Sequence, residues 1–347
     1  MGARVNDVSF PSWNEGSPPT IYDVARVAGV SSSTVSRAFA RPGRVSHETA
    51  QKIFAAAIEL GYRSKPMNGA GQPGGTRTSM IALVIADIRN PVYAEMVRGA
   101  EAAAAEAGYT MLLAHTQESD RRERQALERA MSTVDGIVLS SSRMSDSAIR
   151  MMAKQKPTIV MNRAVADVAS VVTDNARGIR RAAEHLGEHG HETITYLAGP
   201  EASWADGMRW RSLREAALEL ELNVRRTAPA QPTVRGGEDV AAEWLQHRTS
   251  AVIAYNDQMA IGFIRALQQQ GFSVPEDVSV VGFDNSYGAD LITPALTTVA
   301  APLYALGTTA VNNLLAFAAG AKSQSGQPVV LPTRLVVRNS TARRAKR

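Results

Sequence analysis

Polar side chains recur where apolar runs stop. Asp87 and Asn90 follow IALVIA, Asn162 follows PTIVM, Ser203 follows LAGP, Asn256-Asp257 follow AVIAY, and Asp284 follows VVGF. Carboxylate and amide side chains at such points can hydrogen-bond a small polar ligand. Each of these residues alone also suits a cap or a turn, and Asn90 before Pro91 reads as an N-cap. Their recurrence after so many apolar runs favours a polar cleft. A second group is denser: Ser31, Ser32, Ser33, Thr34, Ser36 and Arg37 lie within seven residues. Short hydroxyls beside one guanidinium suit phosphate oxygens and base edges.

Other chemistries are opposed by composition or context. With no cysteine there is no disulfide framework, thiolate metal site or cysteine nucleophile. His185, His189 and His191 have metal-like spacing, but no carboxylate or cysteine completes a ligand set. Two of them flank Gly190, where cationic side chains favour a helix C-terminus. No metal and no cofactor is therefore expected. Ser203 lies in no G-x-S-x-G elbow, so hydrolysis is not expected. Gly69–Gly74 satisfies G-x-G-x-x-G, yet it follows a helical pattern and precedes a strand, the reverse of a dinucleotide site.

The elements that must position these groups fall into two parts. Residues 1–19 read as a flexible arm. Residues 64–79, SKPMNGAGQPGGTRTS, read as a linker rich in Gly and Pro. Residues 20–63 between them predict three short helices. Thr20 opens the first, with Asp23 in the capping-box position, and Gly29 ends it. Ser31 caps the second and Ser46 the third, which stops at Gly61. Two helices joined by a Gly turn and braced by a third describe a helix-turn-helix. Residues 20–65 hold seven Lys/Arg against three acids, whereas residues 79–337 are mildly acidic. A small basic head on a larger body suits a polyanion partner.

Residues 80–337 alternate apolar strands with amphipathic helices in two successive sets, predicting two doubly wound parallel sheets whose strand ends face a cleft. Lobe one is assigned residues 80–173 with 302–328, and lobe two 174–301 with 329–337. Residues 338–347 read as a disordered basic tail. No apolar run reaches membrane-spanning length and the first twenty residues resemble no signal peptide, so a cytoplasmic protein is expected.

Thr20–Tyr62 resembles, without a gap, the DNA-binding head of the LacI/GalR family of transcription regulators. The likeness continues through Asn90-Pro91, Asp174-Asn175, HLGEHGH at 185–191, Gly199 to Arg209, NDQMAIG at 256–262, VPEDVSVVGFDN at 274–285 and PALTTV at 294–299. It implies a helix-turn-helix head on an α/β two-lobed core of the periplasmic-binding-protein type. It also implies that Ser32, Ser33 and Arg37 choose bases, and that Thr34 and Ser36 meet phosphate or groove. Thr20, Tyr22, Ser31 and Arg44 complete the DNA-facing set. Arg209, Asn256 and Asp284 are implied to clamp an effector, with Asn162 and Ser203 next; the strand-end reading adds Asn90, and Trp204, directly after Ser203, is placed either to stack on a sugar face or to pack in a core.

The segment after Tyr62 departs from the family's hinge. Gly71 stands where a minor-groove leucine is expected, leaving Met67 as the long apolar residue able to act as a wedge. The function implied is a dimeric regulator, most simply a repressor, that reads a near-palindromic operator under control of a small molecule such as a sugar. No leucine heptads follow Val337, so nothing predicts a tetramer. The alternatives from other classes are a solute-binding protein or a carbohydrate-active enzyme on the same core. The basic head and the missing signal peptide oppose both.

Overall fold

The computed structural model describes residues 19–40, 45–60, 62, 78–321 and 327–344. Arg44, Met67, Gly69–Gly74 and nearly all of the expected arm and linker lie outside these residues. The chain forms two units, divided between Thr78 and Ser79.

In the first unit, α1 (Ile21–Ala28), α2 (Ser32–Ala40) and α3 (His47–Glu59) enclose a small core of Val24, Ala25, Val35, Ala38, Ile53, Ala56 and Ala57. Asp23 accepts from the Thr20 amide at 2.8 Å and from its hydroxyl at 2.6 Å, closing the expected capping box. Gly29 ends α1 at φ 65°, left-handed backbone that lets the chain turn directly into α2. The edge-to-face pair Phe39–Phe54, with centroids 5.2 Å apart, ties α2 to α3.

The second unit has two lobes. Lobe one begins with β1 (Met80–Ile85), α4 (Val92–Glu106), β2 (Thr110–His115), α5 (Asp120–Ala130), β3 (Gly136–Ser140), α6 (Asp146–Ala153), β4 (Thr158–Met161) and β5 (Ser170–Thr173). Lobe two follows with α7 (Asn175–Glu188), β6 (Thr193–Leu197), α8 (Trp204–Glu219), β7 (Asn223–Arg226), α9 (Val234–Gln246), β8 (Ala251–Ala254), α10 (Asp257–Gln269), β9 (Ser279–Asp284), α11 (Gly288–Leu291) and β10 (Thr297–Ala300). The chain then returns through α12 (Leu303–Ala318), β11 (Val329–Leu331) and β12 (Arg334–Val336).

The sheet orders are β11-β5-β4-β3-β1-β2 and β12-β10-β9-β8-β6-β7; every pair is parallel except β10–β12. Strand period sorts the core. Ile81, Leu83 and Ile85 face α4 and α12, while Ala82 and Val84 pack with Ile137, Leu139 and Ile149 on the other face. The second sheet buries Tyr196, Ile253, Val281 and Phe283 among α7 to α10.

Two expectations need correction. Residues 329–331 belong to lobe one, because β11 pairs with β5 (Val329↔Val171 to Leu331↔Thr173) and only β12 joins lobe two. A three-residue apolar run carries no information about which sheet edge it will extend. Residues 338–344 are not a disordered tail. Ser340 is fully buried, its Oγ donating to Val280 O at 2.6 Å and accepting from the Thr297 amide at 2.8 Å. The Ala342 amide donates to Ser279 Oγ at 3.0 Å, and the Arg344 amide to His189 O at 2.8 Å. The composition of RNSTARR reads as solvated, whereas backbone groups and two small hydroxyls hold it against lobe two. β7, a short polar edge strand, also went unanticipated because Asn223–Arg226 shows no apolar alternation.

Candidate functional site: a polyanion-facing helix and an interlobe polar cluster

In the head, Tyr22, Ser31, Ser33 and Arg37 are exposed, and Ser32, Thr34 and Ser36 are half-buried. Val35 and Ala38 anchor the opposite face of α2 in the core, so this polar row is presented outward by the helical period itself. Ser31 has a structural task as well: its Oγ accepts from the Thr34 amide at 3.3 Å and lies 2.8 Å from Thr34 Oγ1. Thr20 is engaged by Asp23. Ser33, whose hydroxyl lies 2.9 Å from that of Ser31, and Arg37 remain on the outward face.

In lobe two the strand ends converge on Arg209. This guanidinium, 3% exposed, donates from Nε to Asn175 Oδ1 at 2.9 Å, and it also donates to Tyr255 O. Its Nη2 lies 3.4 Å from Asp284 Oδ1. Its Cζ sits 3.5 Å from the centroid of the Phe283 ring, and the Tyr255 ring is 5.0 Å away. Asp284 closes β9 with φ 107°, a left-handed backbone conformation rare for a non-glycine residue. Burial pushes the Asp284 carboxyl up to about 7; Arg209 opposes that rise and buried Asp257 adds to it.

Ser203 Oγ lies 3.0 Å from the Tyr255 hydroxyl and accepts from the Asp206 amide at 3.3 Å, capping α8. Tyr255 lies flat over Gly199, where a Cβ would stand 2.5 Å from its ring. Only glycine admits that approach.

Lobe one supplies a second polar group. Arg143, its side chain 6% exposed, donates from Nε to Glu118 Oε2 at 2.5 Å. Glu123 accepts from the Arg143 amide at 3.0 Å, and burial pushes the Glu123 carboxyl up. Tyr93 is buried beside them, and desolvation raises its hydroxyl well above the usual range, with Ser141 as hydrogen-bond partner. Tyr255, from lobe two, lies near enough to Tyr93 and Arg143 to interact with both electrostatically.

The remaining expected residues divide. Asn162 stands at the end of β4 with φ 60°, its Nδ2 donating to Ser141 Oγ at 3.2 Å. Asn90 Oδ1 accepts from the Val92 amide at 3.2 Å, the capping role also read from the sequence. Asn256 is committed to backbone, with Oδ1 accepting from Met259 N at 3.0 Å and Nδ2 donating to Pro232 O at 3.2 Å. Trp204 is half-buried and packed against the lobe-two core. The structure therefore brings together Ser203, Arg209 and Asp284, and uses Asn256 and Asn90 as caps.

Sequence reasoning missed Tyr93, Glu118, Arg143 and Asn175 as site residues, and it left Tyr255 and Phe283 unassigned. The strand-end rule could have found Arg143, the second residue after DGIVLSS. Tyr255 lies one residue past β8, where strand alternation no longer predicts direction. Among the described residues no group of His, Asp or Glu is arranged to hold a metal ion. Each of the three histidines has a hydrogen-bond partner: His185 Nε2 lies 2.9 Å from Thr341 Oγ1, His189 Nδ1 2.7 Å from His185 O, and His191 Nδ1 2.8 Å from Ser250 Oγ.

Residues 20–65 match the model of "Bacterial regulatory proteins, lacI family", and residues 183–341 match "Periplasmic binding protein-like domain". The HTH-type transcriptional regulator DegA of Bacillus subtilis (strain 168) is 34% identical over 333 residues, covering 93% of this chain and 98% of the relative. Two solved structures match the architecture. One is a transcriptional regulator CelR–cellobiose complex, with TM-score 0.70 and 30% identity, covering 93% of this chain and 99% of that one. The other is a lac repressor dimer bound to operator and the anti-inducer ONPF, with TM-score 0.73 and 25% identity, covering 94% and 100%. With head, core and near full-length identity in agreement, the chain belongs to the lacI family of bacterial regulatory proteins.

Proposed function

We propose that this protein is a transcriptional repressor that binds a near-palindromic operator as a homodimer and responds to an uncharged, polyhydroxylated effector held between its lobes. The outward row of α2 supplies DNA contact, with Ser33 and Arg37 as its most accessible members. The observation that carries the effector reading is the buried Arg209–Asp284 pair at the strand ends, stacked on Phe283 and joined by Asn175. Such a pair offers fixed donors and acceptors to vicinal hydroxyls, and the flat ring faces nearby suit a sugar. Its counterpart in lobe one is likewise matched, Arg143 against Glu118. With each buried guanidinium already engaged by protein acceptors, the site favours a neutral ligand over a phosphorylated or acidic one.

Relatives bearing regulator names, rather than catalytic ones, support a binding role without turnover. Among the described residues no helix is long and apolar enough to cross a membrane. A DNA-bound regulator works in the cytoplasm.

The test is a binding titration on DNA flanking the protein's own coding region, at several salt concentrations, with cellobiose, monosaccharides and their phosphates. Specific binding weakened by one neutral sugar supports the reading. By linkage, that sugar must bind the operator complex more weakly than the free protein, by the same factor. Response only to phosphorylated sugars would overturn the neutral-ligand reading. Turnover of a sugar without DNA would instead favour the enzyme alternative.

A further inference from the structure

The turn that presents Asp284 is improbable by itself. Asp284 and Asn285 have φ 107° and 56°, two successive non-glycine residues on the left-handed side of backbone space. Such residues persist only where the surroundings over-determine them. Three side chains do so here. Asp257, the first residue of α10, accepts from the Ser286 amide at 2.6 Å through Oδ2 and from Thr298 Oγ1 at 2.6 Å through Oδ1. Thr298 Oγ1 accepts in turn from the Asn285 amide at 3.3 Å. Asp257 can stand behind β9 only because residue 282 is glycine, whose Cβ would lie 2.2 Å from Asp257 Oδ1.

The third side chain comes from the C-terminal segment. Arg338 donates from Nη2 to Asn285 Oδ1 at 2.8 Å and from Nη1 to Leu296 O at 2.7 Å, and its Nε lies 3.2 Å from Asp290 Oδ1. Its own backbone is fixed: the Arg338 amide donates to Thr297 Oγ1 at 2.9 Å, and Ser340 is bonded to both β9 and β10. One rigid fork therefore spans the Asp284–Asn285 turn, the start of α11 and the loop before β10. Lysine, with a single flexible ammonium, could not hold three acceptors in this geometry.

We propose that Arg338 is a positioning residue of the effector site, holding the Asn285 turn so that Asp284 meets Arg209 and the ligand. The proposal rests on the reading of Asp284 as an effector contact. The C-terminal segment thereby becomes part of the sensing lobe.

The experiment measures amide hydrogen exchange of the full chain in wild type, Arg338→Gln, Arg338→Lys, Asn285→Gly and the double variant Arg338→Gln/Asn285→Gly. Arg334→Gln, an exposed change on β12, serves as control. Exchange in residues 284–291 should accelerate roughly tenfold in Arg338→Gln and be only partly rescued by Lys. Residues 193–197 and the Arg334→Gln control should be unchanged. The double variant should be less than additive, since Asn285→Gly already lacks the bond between the two side chains while the Arg338 contacts to Leu296 O and Asp290 remain to be lost.

Unchanged exchange at 284–291, equal acceleration throughout lobe two, or full additivity would each overturn the proposal. Cellobiose is the ligand probe. If wild type binds it, Arg338→Gln should weaken that affinity roughly tenfold, leaving operator affinity without sugar unaltered. If wild type does not bind it, cellobiose is excluded as effector and the exchange data still decide the role of Arg338.

Discussion

Replacing Asp257 by Asn should change how core stability depends on pH, with a sign the structure dictates. The carboxyl is fully buried, and burial raises it from its ordinary 3.8 to about 6, against the opposing bonds from Thr298 and Ser286. The folded chain then holds a proton on Asp257 in a range where the unfolded chain has released it. A group raised in this way favours folding fully below its unfolded value, and that favour is lost as pH rises through the folded one.

At 1.36 kcal/mol per pH unit, the wild type forfeits on the order of 3 kcal/mol between about pH 4 and pH 7 through this group. Asn cannot titrate, so the loss disappears. Asn also keeps one acceptor of the two, which costs a constant amount at every pH. The stability of the variant relative to wild type should therefore climb by about 3 kcal/mol across that range, whatever its starting offset. Coupling to Asp284, whose rise Asp257 increases, adds to the trend without reversing it. Urea unfolding followed by tryptophan fluorescence suits the measurement, because Trp204, Trp210 and Trp244 all lie in lobe two. A difference that stays flat, or falls as pH rises, would refute the assignment of Asp257 as a carboxylate whose charged form is penalised by burial.

Further outcomes follow from individual contacts. Arg37→Ala should cost about 1–3 kcal/mol on the cognate operator if the guanidinium reads a base, whereas equal weakening on random DNA would mark a phosphate contact. Gly262→Ala should destabilise the core by roughly 1–3 kcal/mol, since the new Cβ would lie 1.8 Å from the Val234 carbonyl oxygen. Gly207→Ala, at an exposed position of α8 with no atom within 4 Å of the added Cβ, should stabilise by about 0.4–1 kcal/mol. The same unfolding assay reads both glycine changes, and a shared sign would contradict the packing argument. Burial depresses the His191 pKa, so its contribution to stability is present above the unfolded value and lost as pH falls through the folded one. Amides of residues 338–344, which His191 meets through Ala342 O at 3.1 Å, should exchange faster relative to β8 as pH falls below the ordinary histidine value of 6.5. His191→Gln should remove that excess, and an unchanged pH profile would exclude the histidine as its source.

Much of this protein is legible along the chain because its signals are local. The capping box Thr20–Asp23, the left-handed Gly29 and the Ser31 and Ser46 caps define the head, since a cap and the helix it opens lie within four residues. The two sets of strands and helices are likewise read from apolar period, Ser203 and Asp284 follow from polar residues at strand ends, and Arg209, inside α8, is named only by the family resemblance. Tertiary structure decided what locality cannot encode. Glu118, Arg143 and Tyr93 gather only because β1, β2 and β3 lie side by side, and the sheet order joins residues distant in sequence. Asn256 satisfied the same strand-end rule as Asp284, yet its amide is consumed by Met259 N and Pro232 O. The edge that β11 extends and the packing of residues 338–344 depend on backbone hydrogen bonds to remote strands. A residue type offers donors and acceptors, but only the assembled neighbours determine which of them are already taken and which are left for a ligand.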